Sequence, residues 1–259
     1  MTYRTALITG ASSGIGRSLA ERLARDGTEV VLVARRAERL EAIVAEIAGA
    51  GGRAHAAPFD VADTDGLVEV IRRADDSVGG LDLVVANAGI GLAIDAKRLS
   101  WERIRALCKV NFDGAIATLT AVLPRMVERR SGHVVGMSSL AALAPFPMGG
   151  AYGASKAGLQ SFLASVRIDL REAGVAATCV LPGFVHTEMT ARVKKKVPMS
   201  LTSEQAADLI VRKLKKRGAT IAVPGGAVTP VKMIASLPGP LRDAIISRMP
   251  LPDEDLESS

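Results

Sequence analysis

The tightest constraint on this chain is an alternation. Short runs of apolar, often β-branched residues recur along it, and each is followed by a longer stretch whose apolar residues return at three- and four-residue spacing. Runs of the first kind suit strands buried on both faces, and stretches of the second kind suit helices that cover them. The pattern therefore predicts repeated βαβ units on a parallel sheet. The predicted strands are Thr5–Thr9, Val30–Ala34, Arg53–Pro58, Leu81–Ala86, His133–Ser138, Val175–Leu181 and Thr220–Val223. Between the first two, Ile15, Leu19, Leu23 and Ala24 form one helical stripe that stops at Gly27. Over Ala37 to Ala48, Leu40, Ile43, Val44 and Ile47 form another, stopped by Gly49, Gly51 and Gly52.

A length of 259 residues suits one large α/β domain, and 48% hydrophobic with 23% charged residues suits a soluble, packed core. The catalytic unit is expected over residues 1–225. Beyond it Pro230, Pro238 and Pro240 break the chain, and residues 226–259 read as an extension packed on the same domain or at a subunit contact. Leu241, Ile245 and Met249 predict a short helix there, and the terminal PDEDLESS reads as frayed. The first residues lack a secretory pattern, and no uninterrupted apolar run approaches about 18 residues, so a membrane span is not expected. Cys108 and Cys179 read as reduced core residues, and a cytoplasmic location is the expectation. The net charge of +6 raises nucleic acid as a partner, but 3% aromatics and no recognisable nucleic-acid module argue against it.

Residues 7–16, LITGASSGIG, place Gly10, Gly14 and Gly16 between a strand and a helix start. Such a turn lets a pyrophosphate approach free backbone N–H groups and the positive end of a helix dipole. The spacing differs from GxGxxG, and a plain helix cap is the alternative reading. Further along, ANAG at 86–89, Ser139, YGASK at 152–156 and PG at 182–183 follow in order. With this set the chain, over roughly residues 3–223, resembles the short-chain dehydrogenase/reductase family. The resemblance implies a Rossmann-type, doubly wound sheet of about seven parallel strands with a dinucleotide across its carboxyl edge. The strand pattern points to the same architecture.

For the cofactor, the second strand ends in Arg35 and Arg36 where an NAD site usually carries an acid. A guanidinium gains a charge-assisted partner from a 2′-phosphate, so NADP(H) is expected. The resemblance assigns Arg35 to that phosphate, with Ser12 and Ser13 beside it and Gly10, Gly14, Ile15 and Gly16 forming the turn. It also assigns Asp60 and Val61 to the adenine ring, Asn87 and Gly89 to adenosine, Pro182 and Gly183 to the nicotinamide, and Val185 and Thr187 to its carboxamide. Asp60 is also a natural cap for the helix that follows it.

Carbonyl reduction needs a proton for the developing oxyanion, and tyrosine, with an ordinary pKa of about 10, needs a perturbing neighbour to move one easily. Tyr152 and Lys156 share a helix face, which predicts that the ammonium lowers the phenol pKa. By resemblance Ser139 orients the substrate oxygen, Asn111 holds a water that relays protons from Lys156, and Lys156 also contacts the nicotinamide ribose. Singly, each residue also reads as an anchor, surface charge, turn or cap; together they point to an NADP(H)-dependent oxidoreductase. No metal is expected, and the three histidines read as structural or solvated. By resemblance the segment 184–200 covers the substrate; its Lys194–Lys195–Lys196 reads as a solvated loop face or a contact for an acidic substrate, and Phe146, Met148, Phe184 and Met189 as an apolar pocket or as packing of the lid, the substrate being a small carbonyl or alcohol. A homodimer or homotetramer is implied by the family. The competing readings are a catalytically weak NADP(H)-binding regulator on the same fold, and a basic or membrane-surface interaction protein.

Overall fold

The computed structural model describes residues 3–91, 93–191, 193 and 197–248. Its main sheet has seven strands in the order β3-β2-β1-β4-β5-β6-β9, all pairs parallel. These are β1 (Thr5–Thr9), β2 (Glu29–Ala34), β3 (Ala54–Pro58), β4 (Leu83–Ala86), β5 (Gly132–Met137), β6 (Val175–Pro182) and β9 (Thr220–Val223). The chain steps outward from β1 to β3, then returns to place β4 on the other side of β1. That reversal opens a crevice beyond the carboxyl ends of β1 and β4, where doubly wound sheets bind their ligands.

The bounds of β1 and β9 are those expected, and the other five strands differ by one or two residues at an end. The fourth strand begins at Leu83 and not Leu81 because the backbone N–H of Leu81 donates to Asp75 Oδ1 at 2.7 Å, and that of Asp82 to Thr5 Oγ1 at 3.0 Å. A separate two-stranded parallel ladder, β7 (Val185–His186) with β8 (Leu201–Thr202), was not predicted. Each of its strands has only two residues, too few to carry an alternation.

Helices α1 (Gly14–Arg25), α2 (Ala37–Gly49) and α8 (Ser203–Leu214) lie on one face. Leu19, Ile43 and Ile210 pack there with Leu32 of β2. On the other face, α3 (Thr64–Ser77), α5 (Gly114–Thr120) and α7 (Gly150–Asp169) contribute Ile71, Leu119 and Leu163. Burial of each such side chain contributes about 1.5–3 kcal/mol. The α7 helix comes close to β5: a Cβ on Gly136 would stand 2.5 Å from Leu163 Cδ1, so any larger residue there would make the Leu163 side chain shift.

Between α3 and β5 a long helical run comprises α4 (Trp101–Cys108), a π-type turn over Lys109–Asp113, α5 and α6 (Leu123–Glu128). By length and composition the run Trp101–Glu128 could cross a membrane. Its Leu107, Leu119 and Met126 are fully buried in the protein, as in a core helix. The C-terminal part forms α9 (Val228–Ala235) and α10 (Gly239–Ile246). The predicted helix end at Met249 and the acidic tail lie outside the described residues.

At the amino end of the sheet, His133 is fully buried. Its Nδ1 is 2.7 Å from Tyr3 Oη and its Nε2 is 2.8 Å from Thr178 Oγ1. Burial is the main cause that drives its pKa from 6.5 down to about 3, so the ring is neutral in the folded protein.

Candidate active site

A cleft of about 530 Å³ opens at the carboxyl edge of the sheet. Its floor is the turn after β1, where Gly10 has φ 68° and Gly14 φ 54°, a left-handed backbone that favours glycine. A Cβ on Gly10 would stand 2.7 Å from Ala88 Cα, and one on Gly16 would stand 2.3 Å from the Gly10 carbonyl oxygen. Gly16 therefore lies packed beneath the turn, and it is absent from the cleft lining, whereas Gly10, Ser12, Ser13, Gly14 and Ile15 line it. Asn87 holds the turn in place, its Nδ2 donating to the Thr9 carbonyl at 2.9 Å. Ser13 sits at the N-cap of α1 without a side-chain cap bond, so it leaves the helix N-terminus open to an anion.

One end of the cleft is basic. Arg35 lines it but is exposed, whereas Arg36 is turned onto the glycine turn. Arg36 Nη2 donates to Ser12 Oγ at 2.9 Å and to Ser13 Oγ at 3.0 Å. Its Nη1 donates to Glu188 Oε2 at 3.0 Å, and Arg39 donates to the other carboxylate oxygen at 2.5 Å. Burial raises the Glu188 pKa, but the two guanidiniums more than offset it and leave the carboxyl below its usual range. The sequence singled out Arg35 for this end, yet Arg36, Arg39 and Glu188 form its charged cluster. Arg39 follows Arg36 by nearly one helical turn, a spacing legible in the sequence; Glu188 carried no signal. Asp60, Val61, Asn87 and Gly89 line the adjoining wall, and Pro182, Gly183, Val185 and Thr187 the far one.

At the junction between this cleft and a second, apolar cavity stand Ser139 and Tyr152, which line both. Ser138 and Ser139 are told apart by geometry: Ser138 Oγ donates to the Lys156 carbonyl at 2.8 Å and fixes α7, whereas Ser139 faces the cavities and accepts from Ala141 N at 3.1 Å. Lys156 is buried, and its Nζ donates to the Met137 carbonyl at 2.9 Å. Burial is the larger influence on it and brings its pKa down to about 8.

The expected lowering of the Tyr152 pKa by Lys156 is not what this arrangement produces. The ring stays partly open to the cavities, yet the protein around it desolvates the phenol and raises its pKa; hydrogen bonding with Ser139 acts in the opposite direction. The ammonium is engaged with Met137 and stands 5.9 Å from the centre of the Tyr152 ring. The phenol is thus kept protonated, the form that donates.

Asn111 is fully buried and lines neither cavity. Its Oδ1 accepts from Ile90 N at 2.8 Å and its Nδ2 donates to Ile90 O at 3.0 Å, which clamps the loop after β4 onto the π-type turn. Of the residues expected to make an apolar pocket, Phe146, Phe184 and Met189 line the second cavity. Met148 does not; it takes a left-handed φ of 61° in a turn, and its carbonyl accepts from Ile94 N at 3.0 Å. Lys194, Lys195 and Lys196 lie outside the described residues.

Comparison with known proteins agrees with this architecture. The short chain dehydrogenase family matches residues 4–198. An uncharacterized oxidoreductase of Myxococcus xanthus is 46% identical over 96% of this chain and 98% of its own length. A fatty acyl-CoA reductase of Acinetobacter baylyi is 36% identical over 85% of this chain and 75% of its own. A short-chain dehydrogenase of Sphingobium yanoikuyae, solved in complex with NADPH, superposes with a TM-score of 0.80 at 26% identity, over 95% of this chain and 96% of that one. The chain belongs to the short-chain dehydrogenase family and is an oxidoreductase of that family.

Proposed function

We propose that this protein is an NADP(H)-dependent carbonyl reductase, working in reverse as an alcohol dehydrogenase, with Tyr152 as its proton-transfer residue. The observation that carries the reading is that Ser139 and Tyr152 line both a basic-ended cleft and the apolar cavity that adjoins it. The residues present fit a phosphorylated dinucleotide. The turn has no room for a Cβ at Gly10 or Gly16, and Arg36 is aimed between two serine hydroxyls with Arg35 and Arg39 on the rim. That donor set suits a 2′-phosphate better than two ribose hydroxyls. The relative from Sphingobium yanoikuyae, bound to NADPH, supports the choice.

When bound, NADPH supplies the hydride that the carbonyl carbon gains. Ser139 and Tyr152 donate hydrogen bonds to the carbonyl oxygen, orient it and stabilise the negative charge that develops there. Tyr152 then transfers its proton to that oxygen; burial, by raising its pKa, keeps the phenol protonated but makes it a weaker acid, so the transfer depends on the positive charge beside it. Lys156, held by the Met137 carbonyl, keeps a positive charge beside the phenolate left behind. Asn111 acts at one remove, fixing the loop at Ile90 next to Gly89. A homodimer or homotetramer is part of the same proposal, supported by Trp101 on α4 and Ile168 on α7, which are 67% and 65% exposed.

The test is NADPH oxidation over a panel of aldehydes and ketones with wild type and Tyr152→Phe. Loss of the proton donor lowers kcat by about 10²–10⁴ while NADPH binding persists. NADPH binding with no turnover on any panel member would instead favour a regulatory role, and undiminished turnover by Tyr152→Phe would remove it from the chemistry.

A further inference from the structure

The apolar cavity beyond Tyr152 holds more information than its position. It measures about 410 Å³, and among its lining residues the only polar side chains are Ser139, Tyr152 and Thr190. Thr190 is already committed, its hydroxyl donating to the Val185 carbonyl at 2.7 Å. No charged side chain lines the cavity among the described residues. Among the described residues a carboxylate or phosphate brought inside it finds no cation to replace its lost water, and that desolvation is costly.

The walls are also unusual as packing. Phe146, Phe184, Met189, Val231, Ile234 and Ile246 all face the cavity, yet none of them belongs to either hydrophobic core. The α9 helix has no fully buried residue; its inward-facing Val231 and Ile234, one turn apart, look onto the void. Phe146 packs edge-on to Tyr152, with ring centres 6.4 Å apart, so the apolar lining reaches the reacting oxygen's position. Apolar side chains left outside the core and gathered around one cavity are complementary to an apolar ligand.

We propose that the substrate is an uncharged ketone or aldehyde carried on a hydrocarbon body, and that the C-terminal pair α9–α10 sets the length of that body. The inference rests on the carbonyl-reductase reading above. At roughly 30 Å³ for each water-sized group, the cavity accommodates about a dozen non-hydrogen atoms. The carbonyl lies at Ser139 and Tyr152, and the hydrocarbon runs from Phe146 toward Ile234 and Ile246. Val231, Ile234 and Ile246 are therefore specificity-determining residues for the reduction.

The experiment measures kcat/KM with NADPH for straight-chain 2-alkanones from butanone to tetradecanone, alongside the same chains ending in a carboxylate and the corresponding acyl-CoA thioesters. Each added methylene raises kcat/KM about fourfold until the cavity is filled, after which the gain stops. Ile234→Trp moves the stopping point to shorter chains and Ile234→Ala to longer ones. A flat dependence on chain length, a preference for the carboxylate or CoA series, or a stopping point that both variants leave in place overturns the substrate class while the reductase reading stands. Calorimetric titration with 2-alkanols in the absence of cofactor reads the cavity without turnover. Affinity that rises with chain length and shifts with the Ile234 variants supports the apolar site even if no carbonyl is reduced, in which case only the reductase reading fails. No binding of any 2-alkanol overturns the inference.

Discussion

Acidification tests the buried His133 most directly. The folded protein holds this imidazole near pKa 3, because burial opposes its charge, whereas in the unfolded chain it titrates at 6.5. Below pH 6.5 the unfolded state takes up a proton that the folded state refuses until about pH 3. The contribution is therefore fully present above the unfolded value and is lost as pH falls toward the folded one. At 1.36 kcal/mol per pKa unit, moving from about pH 7.5 to about pH 5 removes about 2 kcal/mol, and reaching about pH 4 removes about 3 kcal/mol. Urea unfolding of wild type and His133→Gln at those pH values isolates the effect. The variant loses hydrogen bonds to Tyr3 and Thr178 and is less stable everywhere, but its stability falls less steeply with acid. The quantity to compare is the difference between the two slopes, which cancels every other titrating group. Equal acid dependence in the two proteins would refute the reasoning, since His133 would then be protonated in the fold.

Other perturbations address the site itself. Arg36→Ala weakens NADPH binding about tenfold by fluorescence titration while NADH binding stays nearly constant, because only the phosphate uses the guanidinium. Glu188→Gln tightens NADPH binding by at most a few-fold, since the carboxylate competes for Arg36 and Arg39 through exposed ion pairs. For carbonyl reduction, kcat/KM falls as pH rises through about 8, where Lys156 loses its proton; a flat profile across that value would remove the lysine charge from the mechanism. Gly16→Ala forces a methyl to within 2.3 Å of a backbone oxygen, and thermal or urea unfolding should register a loss of about 1–3 kcal/mol together with weaker cofactor binding.

Much of the fold was legible because the central strands are buried on both faces and so read as unbroken apolar runs, unlike the largely exposed edge strand β3. The β1 residues Thr5–Thr9 are all buried, as are the β5 residues Gly132–Met137. The two-residue strands β7 and β8 had no pattern to read, and the start of β4 is decided by Asp75, a residue of α3 whose carboxylate takes the Leu81 N–H out of the ladder. In the site, the glycine turn and the Tyr152–Lys156 spacing are local, so the sequence displayed them. The charged cluster of Arg36 and Glu188 joins residues far apart in the chain and needed the fold to assemble it. The phenol pKa also misled the sequence reading, because helix spacing brings Lys156 near Tyr152 but says nothing about the Met137 carbonyl that engages the ammonium or the burial that dominates the phenol.

The absence of any fully buried residue in α9 has a kinetic consequence. An element held by few core contacts opens at small free-energy cost, so this wall is where the proposed substrate's product would be expected to leave. On the proposed hydrocarbon substrates, a long product would grip that wall and hold it closed, so each methylene that improves capture would also delay departure. Turnover at saturation should therefore peak at an intermediate chain length, with the longest well-bound substrates limited by how fast their alcohols leave.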